Sequence, residues 1–160
     1  MGVEIERKYL VNKDIWANVV KDNRHLVMQG YILNNPDKTI RIRLTDNKGY
    51  ITIKGLSTGA VRLEFEYQIP EEDAKELLNN FCTAAVSKIR NKIIYKGKLW
   101  EIDEFLDDNA GLIVAEIELS DEGERFDLPD WIWIAKEVTG EEKYYNANLS
   151  KHPYKDWKQI

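Results

Sequence analysis

Glu4, Glu6 and Lys8 stand two residues apart in the opening stretch Val3-Glu4-Ile5-Glu6-Arg7-Lys8-Tyr9. On a β-strand alternate side chains share a face, so these three charges project together while Val3, Ile5, Arg7 and Tyr9 project the other way. Carboxylates at i and i+2 lie about 7 Å apart, close enough to repel and well placed to share a divalent cation. Taken alone, the stretch also describes a solvated face. The same grammar returns, however, on six later stretches: Arg41 and Arg43; Lys54; Arg62, Glu64 and Glu66; Lys88 and Arg90; Glu101 and Asp103; Glu116 and Glu118. An ordinary half-exposed sheet mixes signs and adds Thr, Ser and Gln on its wet side, because like charges two residues apart repel. Here the stretches are sorted by sign, which is tolerable where the opposite charge, a metal or a polyanion lies across from them.

The elements that must position these charges are mainly strands. Thr39 to Thr45 alternates Ile40, Ile42 and Leu44 with Thr39, Arg41, Arg43 and Thr45, and Asp46-Asn47-Lys48-Gly49 turns it into Tyr50 to Lys54. Leu26 to Leu33, ended by the turn Asn34-Asn35-Pro36-Asp37, precedes this pair. Val61 to Tyr67, Ala85 to Tyr95, Leu99 to Phe105 and Leu112 to Leu119 follow it. Three helices are expected. Asn12 caps one through about Val20 with Ile15, Trp16, Val19 and Val20 on its apolar face. Pro70 opens another to about Phe81, burying Leu77, Leu78 and Phe81, and Tyr144 to Leu149 forms the third. Trp131 to Ile134 is a short apolar segment, and Tyr154 and Trp157 are expected to anchor the Pro153 to Ile160 end.

Composition bounds the function. The 160 residues, 43% hydrophobic and 32% charged, are read as one unit over 1–160 with a real core. A net charge of −5 argues against nucleic acid or an anionic membrane as the main partner. One cysteine, Cys82, permits no intramolecular disulfide and no Cys-rich zinc site, and fits a reducing compartment. Charge from residue 4 onward and the lack of a long apolar run give the expectation of a cytoplasmic protein.

The fold class expected is α+β, mainly β: about eight antiparallel strands closed into a barrel, with a charged lumen and a few helices packed outside. Eight strands leave room for a small ligand. A lumen holding six or more cations and eight carboxylates is too costly as filling and makes sense as a hydrated cavity for a strongly anionic molecule together with divalent metal.

Glu4-Ile5-Glu6-Arg7-Lys8 matches the ExExK motif of the CYTH domain, the triphosphate tunnel metalloenzymes, and nearly the whole chain resembles that family. Arg41-Ile42-Arg43, Thr52-Ile53-Lys54, Glu64-Phe65-Glu66, Lys88-Ile89-Arg90 and Ala115-Glu116-Ile117-Glu118 fall in the family's order, and Lys136-Glu137-Val138-Thr139-Gly140 resembles its C-terminal segment. The resemblance implies an eight-stranded tunnel that hydrolyses a triphosphate-containing small molecule with Mg²⁺ or Mn²⁺.

Residue chemistry supports the same reading. Lys8, Arg41, Arg43, Lys54, Lys88 and Arg90 would hold phosphate oxygens. Glu4, Glu6, Glu116 and Glu118 would ligate a metal; Glu64, Glu66, Glu101 and Asp103 would serve a second metal or orient the attacking water. Catalysis is expected from Glu4, Glu6, Lys8, Glu64, Glu66 and Asp103. Arg62 and Lys136 are assigned to the lumen as further substrate contacts, a surface ion pair being the other reading of Arg62. His25 and His152 and the tryptophans Trp16, Trp131, Trp133 and Trp157 fall outside the pattern and read as packing or surface residues. Inorganic triphosphate is the best-fitting substrate. Cyclisation of ATP to cyclic AMP and a non-catalytic polyphosphate-binding module are the alternatives.

Overall fold

Short turns set the sheet. Asp46 and Asn47 both take positive φ, 50° and 62°, and Lys96 and Gly97 take 47° and 80°. Paired left-handed residues match the twist of a two-residue hairpin. The computed structural model describes residues 2–83 and 85–157, apart from the side chains of residues 134 and 135. Its strands are β1 (Val3–Val11), β2 (Arg24–Asn35), β3 (Lys38–Thr45), β4 (Lys48–Gly55), β5 (Val61–Ile69), β6 (Val86–Tyr95), β7 (Lys98–Phe105), β8 (Ile113–Glu118) and β9 (Ile132–Glu137). The helices are α1 (Lys13–Trp16), α2 (Glu71–Asn80) and α3 (Asn146–Leu149). No helix among the described residues is long and apolar enough to cross a membrane.

The strands run in the order β5-β4-β3-β2-β6-β7-β8-β1, all antiparallel, and β1 pairs back onto β5 through Val3 with Leu63 and Ile5 with Val61. Eight strands thus close a barrel, as alternation predicts. β9 is a ninth, where the sequence suggested only an apolar segment. It lies along the far half of β1, with Tyr9 opposite Glu137 and Val11 opposite Ile132, outside the closed ring.

Two helices differ from expectation. α1 starts where predicted, Asn12 Oδ1 accepting from the backbone N–H groups of Asp14 and Ile15, but it ends at Trp16. Lys21 Nζ donates to the carbonyls of Trp16 and Val19 at 2.7 and 3.0 Å, closing the helix end, and Val20 is left exposed. Of the expected apolar face only Trp16 is buried, against Trp131. In α2 the buried residue is Ala74 rather than Leu77, Leu78 or Phe81, and Phe81 is exposed. Gly49 on β4 is the cause: a Cβ there would come within 2.5 Å of Ala74 Cβ, so the helix sits down on the glycine through its smallest side chain. Gly49→Ala is therefore expected to destabilise the fold by roughly 1–3 kcal/mol through overpacking, read as a lower urea midpoint with an unchanged slope. An unchanged midpoint would mean that α2 is not seated there.

Two apolar clusters lie about the barrel. One, centred on Trp100, Ile102, Ile117 and Trp131, packs α1 and the 120–131 loop on the outer faces of β1, β7 and β8. The other joins Val86, Phe105 and Val114 to Val138, Tyr144 and Leu149. Val86, Phe105 and Val114 are in phase with the lumen charges Lys88, Asp103 and Glu116, so one end of the lumen is apolar and covered by the α3 segment. Tyr154 and Trp157 dock on the same cluster, as expected; Lys158 to Ile160 lie outside the described residues.

Candidate active site

Strand order converts sorting along the sequence into sorting around a wall. β7, β8, β1 and β5 are consecutive and carry Glu101, Glu116, Glu118, Glu4, Glu6, Glu64 and Glu66 into one cavity of about 300 Å³. β4, β3, β2 and β6 complete the ring and carry Lys54, Arg41, Arg43, Lys88 and Arg90. Lys8 is the cation within the acidic arc, 3.5 Å from Glu6 and 3.8 Å from Glu116. Burial works against its ammonium, but Glu6, Glu116 and Glu4 outweigh it and hold its pKa well above the usual lysine range.

The cations differ in how far they are committed. Asp103, fully buried, binds both Lys88, at 2.8 Å, and Arg90, whose Nε and Nη2 reach its two oxygens at 2.8 and 2.9 Å. Burial opposes the Asp103 charge, yet Arg90 and Lys88 drive its pKa far below the usual carboxylate range. Lys88, under the same burial and beside Arg90, is pushed down to about 8. Arg90 also reaches Glu101 at 3.3 Å, Lys54 meets both oxygens of Glu4 at 3.1 and 3.2 Å, and Arg43 pairs with Glu66. Arg41 stands apart: among the described residues it has no carboxylate partner, Nη2 donates to Thr52 Oγ1 at 3.2 Å, and its buried Nε has no acceptor. It is a cation aimed into the cavity with donors to spare.

The acidic arc is under-neutralised. Burial and the hydrogen bond that the Glu64 carboxyl donates to Glu4 push Glu64 up to about 8, whereas Glu4, also buried, is kept below its ordinary value by Lys54 and that same bond. Glu116 is raised by burial and by Glu6, and Glu118 by burial, Glu4 and Glu6. Groups raised in this way stabilise the fold while protonated. The contribution is complete below the ordinary carboxylate range and is lost as pH climbs through about 8. Lys88 acts in the opposite sense above that window, since from about 8 upward the unfolded chain binds the extra proton and stability rises with pH. In metal-free buffer the melting temperature should fall between about pH 5 and about pH 8, with Glu64→Gln flattening the slope. A slope unchanged in Glu64→Gln would place the buried proton elsewhere.

Most of the sequence-predicted residues are thus brought together. Asp103 is near but not in the cavity wall: both its oxygens are taken by Lys88 and Arg90, so it positions two cations instead of ligating metal or activating water. Arg62 lies beside the cavity, at the end covered by α3, donating from Nε to the Gly55 carbonyl at 2.7 Å with its guanidinium 5.4 Å from the Tyr145 ring. Lys136 is outside altogether, exposed on β9 with its ammonium 5.6 Å from the Trp133 ring. β9 lies beyond the closed ring, so its phase says nothing about the lumen.

Four residues of the site were not anticipated. Gln29 and Tyr31 are the inward residues of β2, with Gln29 Oε1 buried and unpartnered. No local signal marks them, because Leu26, Val27 and Met28 make both faces of β2 apolar ahead of Gln29. Asn146 Oδ1 accepts from Lys88 Nζ at 3.1 Å, and the Tyr145 ring lies 5.0 Å from Lys8 Nζ. Both arrive on the segment that covers one end of the barrel. Among the described residues no three Asp, Glu, His or Cys side chains stand close enough to enclose an ion by themselves.

Sequence and structure comparisons agree with this architecture. A curated inorganic triphosphatase of Acetivibrio thermocellus is 48% identical over 99% of the chain and all of its own length. Another, from Nitrosomonas europaea, is 30% identical over 92% of the chain and 96% of its own. The crystal structure of an inorganic triphosphatase superposes with a TM-score of 0.62 at 27% identity, covering 92% of this chain and 93% of that one. The family model of the CYTH domain matches residues 2–154, and the chain belongs to the CYTH domain family.

Proposed function

We propose that the chain hydrolyses inorganic triphosphate with Mg²⁺ or Mn²⁺ in the barrel cavity. One observation carries this: six cations and seven carboxylates line a single cavity of about 300 Å³, with all but one of the cations on one arc and the carboxylates on the other. A linear polyanion fits along the basic arc. Tyr31 and Tyr145, rings that stand beside its cations, lie toward the covered end and neither is among the described residues lining the cavity itself, which favours an inorganic chain over a nucleotide.

The donor set fits a divalent ion. Glu64, Glu116 and Glu118 are carboxyls whose charge is disfavoured by burial and by neighbouring carboxylates, as their raised pKa values express, and hard oxygen donors suit Mg²⁺ or Mn²⁺. Mg²⁺ usually takes one or two carboxylates together with substrate phosphates and waters, which agrees with the lack of a closed three-ligand cluster among the described residues. One or two of Glu4, Glu6, Glu116 and Glu118 would hold it together with substrate oxygens and waters, with Glu64, Glu66 and Glu101 left for a second ion or for the attacking water. The ion would polarise a phosphoryl oxygen and neutralise developing charge.

The chain's own groups supply alignment. Arg41, Lys88 and Arg90 hold phosphate oxygens in line, and Asp103 and Asn146 fix the last two against rotation. Phosphoryl transfer asks for positioning and charge neutralisation more than for a covalent nucleophile. When water attacks the terminal phosphorus, the bond to the diphosphate breaks and the water proton passes to a carboxylate of the acidic arc not taken by the ion, Glu66 or Glu101.

Chromatography of products from inorganic triphosphate, ATP and thiamine triphosphate, with Mg²⁺, Mn²⁺ or chelator, tests the reading. Equal phosphate and diphosphate from triphosphate, abolished by chelator and by Glu6→Ala, is expected. Cyclic AMP as the main product from ATP, or turnover indifferent to chelator, would overturn it.

A further inference from the structure

We propose that Gln29 is a substrate-binding residue: its amide Nε2 donates to a phosphoryl oxygen of the bound triphosphate while the Tyr31 hydroxyl holds its Oε1. The inference rests on the reading of the cavity as a triphosphate site. β4, β3 and β6 each bring cations to the basic arc, and Gln29 is what β2, lying between β3 and β6, brings to the same cavity wall. Register sets Gln29 directly opposite Arg43 and Tyr31 opposite Arg41 on one side, and Val27 opposite Lys88 on the other. A neutral side chain thus stands where the strands on either side place charge.

Its hydrogen bonding is incomplete. Gln29 is 0% exposed, yet Oε1 has no partner among the described residues, and Nε2 reaches the Tyr31 hydroxyl at 3.5 Å, beyond the usual length of such a bond. A buried amide left in this state costs stability, which an apolar side chain of the same shape would not. A half-turn of the amide about its last bond exchanges the two atoms without moving the carbons. The Tyr31 hydroxyl, which donates as well as accepts, then serves Oε1; burial raises the Tyr31 pKa and keeps that proton in place. Nε2 is thereby freed for the cavity. An anion offers acceptors alone, so a neutral group of the wall meets it through N–H. An amide also adds this contact without adding to the repulsion that Arg43 already meets from Arg41 and Arg90.

Gln29→Met, which keeps the length of the side chain and removes both polar atoms, is the test, with kcat and KM for triphosphate measured with Mg²⁺ and the melting temperature measured without substrate. A fall in kcat/KM of about 10- to 100-fold is expected, with a melting temperature level with wild type or higher. Tyr31→Phe leaves the amide in place but removes the group that turns it, and should cost about threefold to tenfold in kcat/KM. Should Gln29→Met not fold, Tyr31→Phe carries the test, and an unchanged kcat/KM overturns the proposal. Activity of Gln29→Met within about threefold of wild type, or a loss matched by a lower melting temperature of the empty protein, overturns it as well. A wild type without turnover would instead sink the hydrolase reading. Calorimetric titration with inorganic triphosphate then reads the same variants, and a dissociation constant unchanged in Gln29→Met overturns the contact.

Discussion

Asp103→Ala is expected to destabilise the barrel by about 3–5 kcal/mol, the cost of leaving buried charge without its partner. Among the described residues Asp103 is the one carboxylate that buried Lys88 and half-buried Arg90 share. Removing it leaves Lys88 with only the amide oxygen of Asn146, and Arg90 with only Glu101 at 3.3 Å. Lys88 can relieve part of this by releasing a proton, since its pKa is already pushed down to about 8. Arg90 cannot, because guanidinium keeps its charge at any working pH. For a chain of this size each kcal/mol corresponds to roughly 2–4 °C, so the melting temperature should fall by roughly 6–20 °C. Asp103→Asn keeps one acceptor and should fall between wild type and alanine. A loss below about 1 kcal/mol by urea titration would mean that Lys88 and Arg90 are not held in this way.

Arg41→Ala is expected to do the reverse, sparing stability and removing activity. Arg41 has no carboxylate to abandon among the described residues, and half-buried Arg43 is repelled by it, so the empty barrel loses one hydrogen bond, to Thr52, and is relieved of one repulsion. Its spare donors face the cavity, where a charge-assisted contact to a phosphate oxygen acts on a desolvated anion. Losing one such preorganised donor typically costs on the order of 10²–10³ in rate. kcat/KM for triphosphate should fall by that factor while the melting temperature stays level or rises. Arg41→Lys should recover only part of the loss, since a point charge replaces a planar fork. Activity within about threefold of wild type would remove Arg41 from substrate binding.

What was legible in the sequence follows from locality. The lumen strands show because charge alternates with apolar residues at period two, and the pairing Arg41 with Thr52 and Lys54 with Glu64 only confirms which face is which. β2 hid its inward residues: Leu26-Val27-Met28-Gln29 is apolar on both faces, so Gln29 has no charged neighbour to mark its phase. The role of Asp103 was illegible for another reason. Its inward phase can be read from Glu101, but cross-strand register sets it opposite Arg90, and only that contact turns a candidate ligand into a support for two cations. Lys136 misled because a ninth strand outside the ring obeys no lumen phase. Tyr145 and Asn146 depend on the chain returning from residue 138 to cover the barrel end, where they meet Lys8 and Lys88 in contacts too distant in sequence for a local pattern to announce.

The most direct test is the initial rate of phosphate release from inorganic triphosphate with Mg²⁺, measured on the wild type, on Arg41→Ala and Glu116→Ala, one from each arc of the wall, and on Lys136→Ala from outside it. Turnover by the wild type and Lys136→Ala alike, with a loss of about 100-fold or more in both lumen variants, is the predicted result. No turnover by the wild type, or activity that survives both lumen substitutions, would contradict the assignment of triphosphate hydrolysis to this cavity.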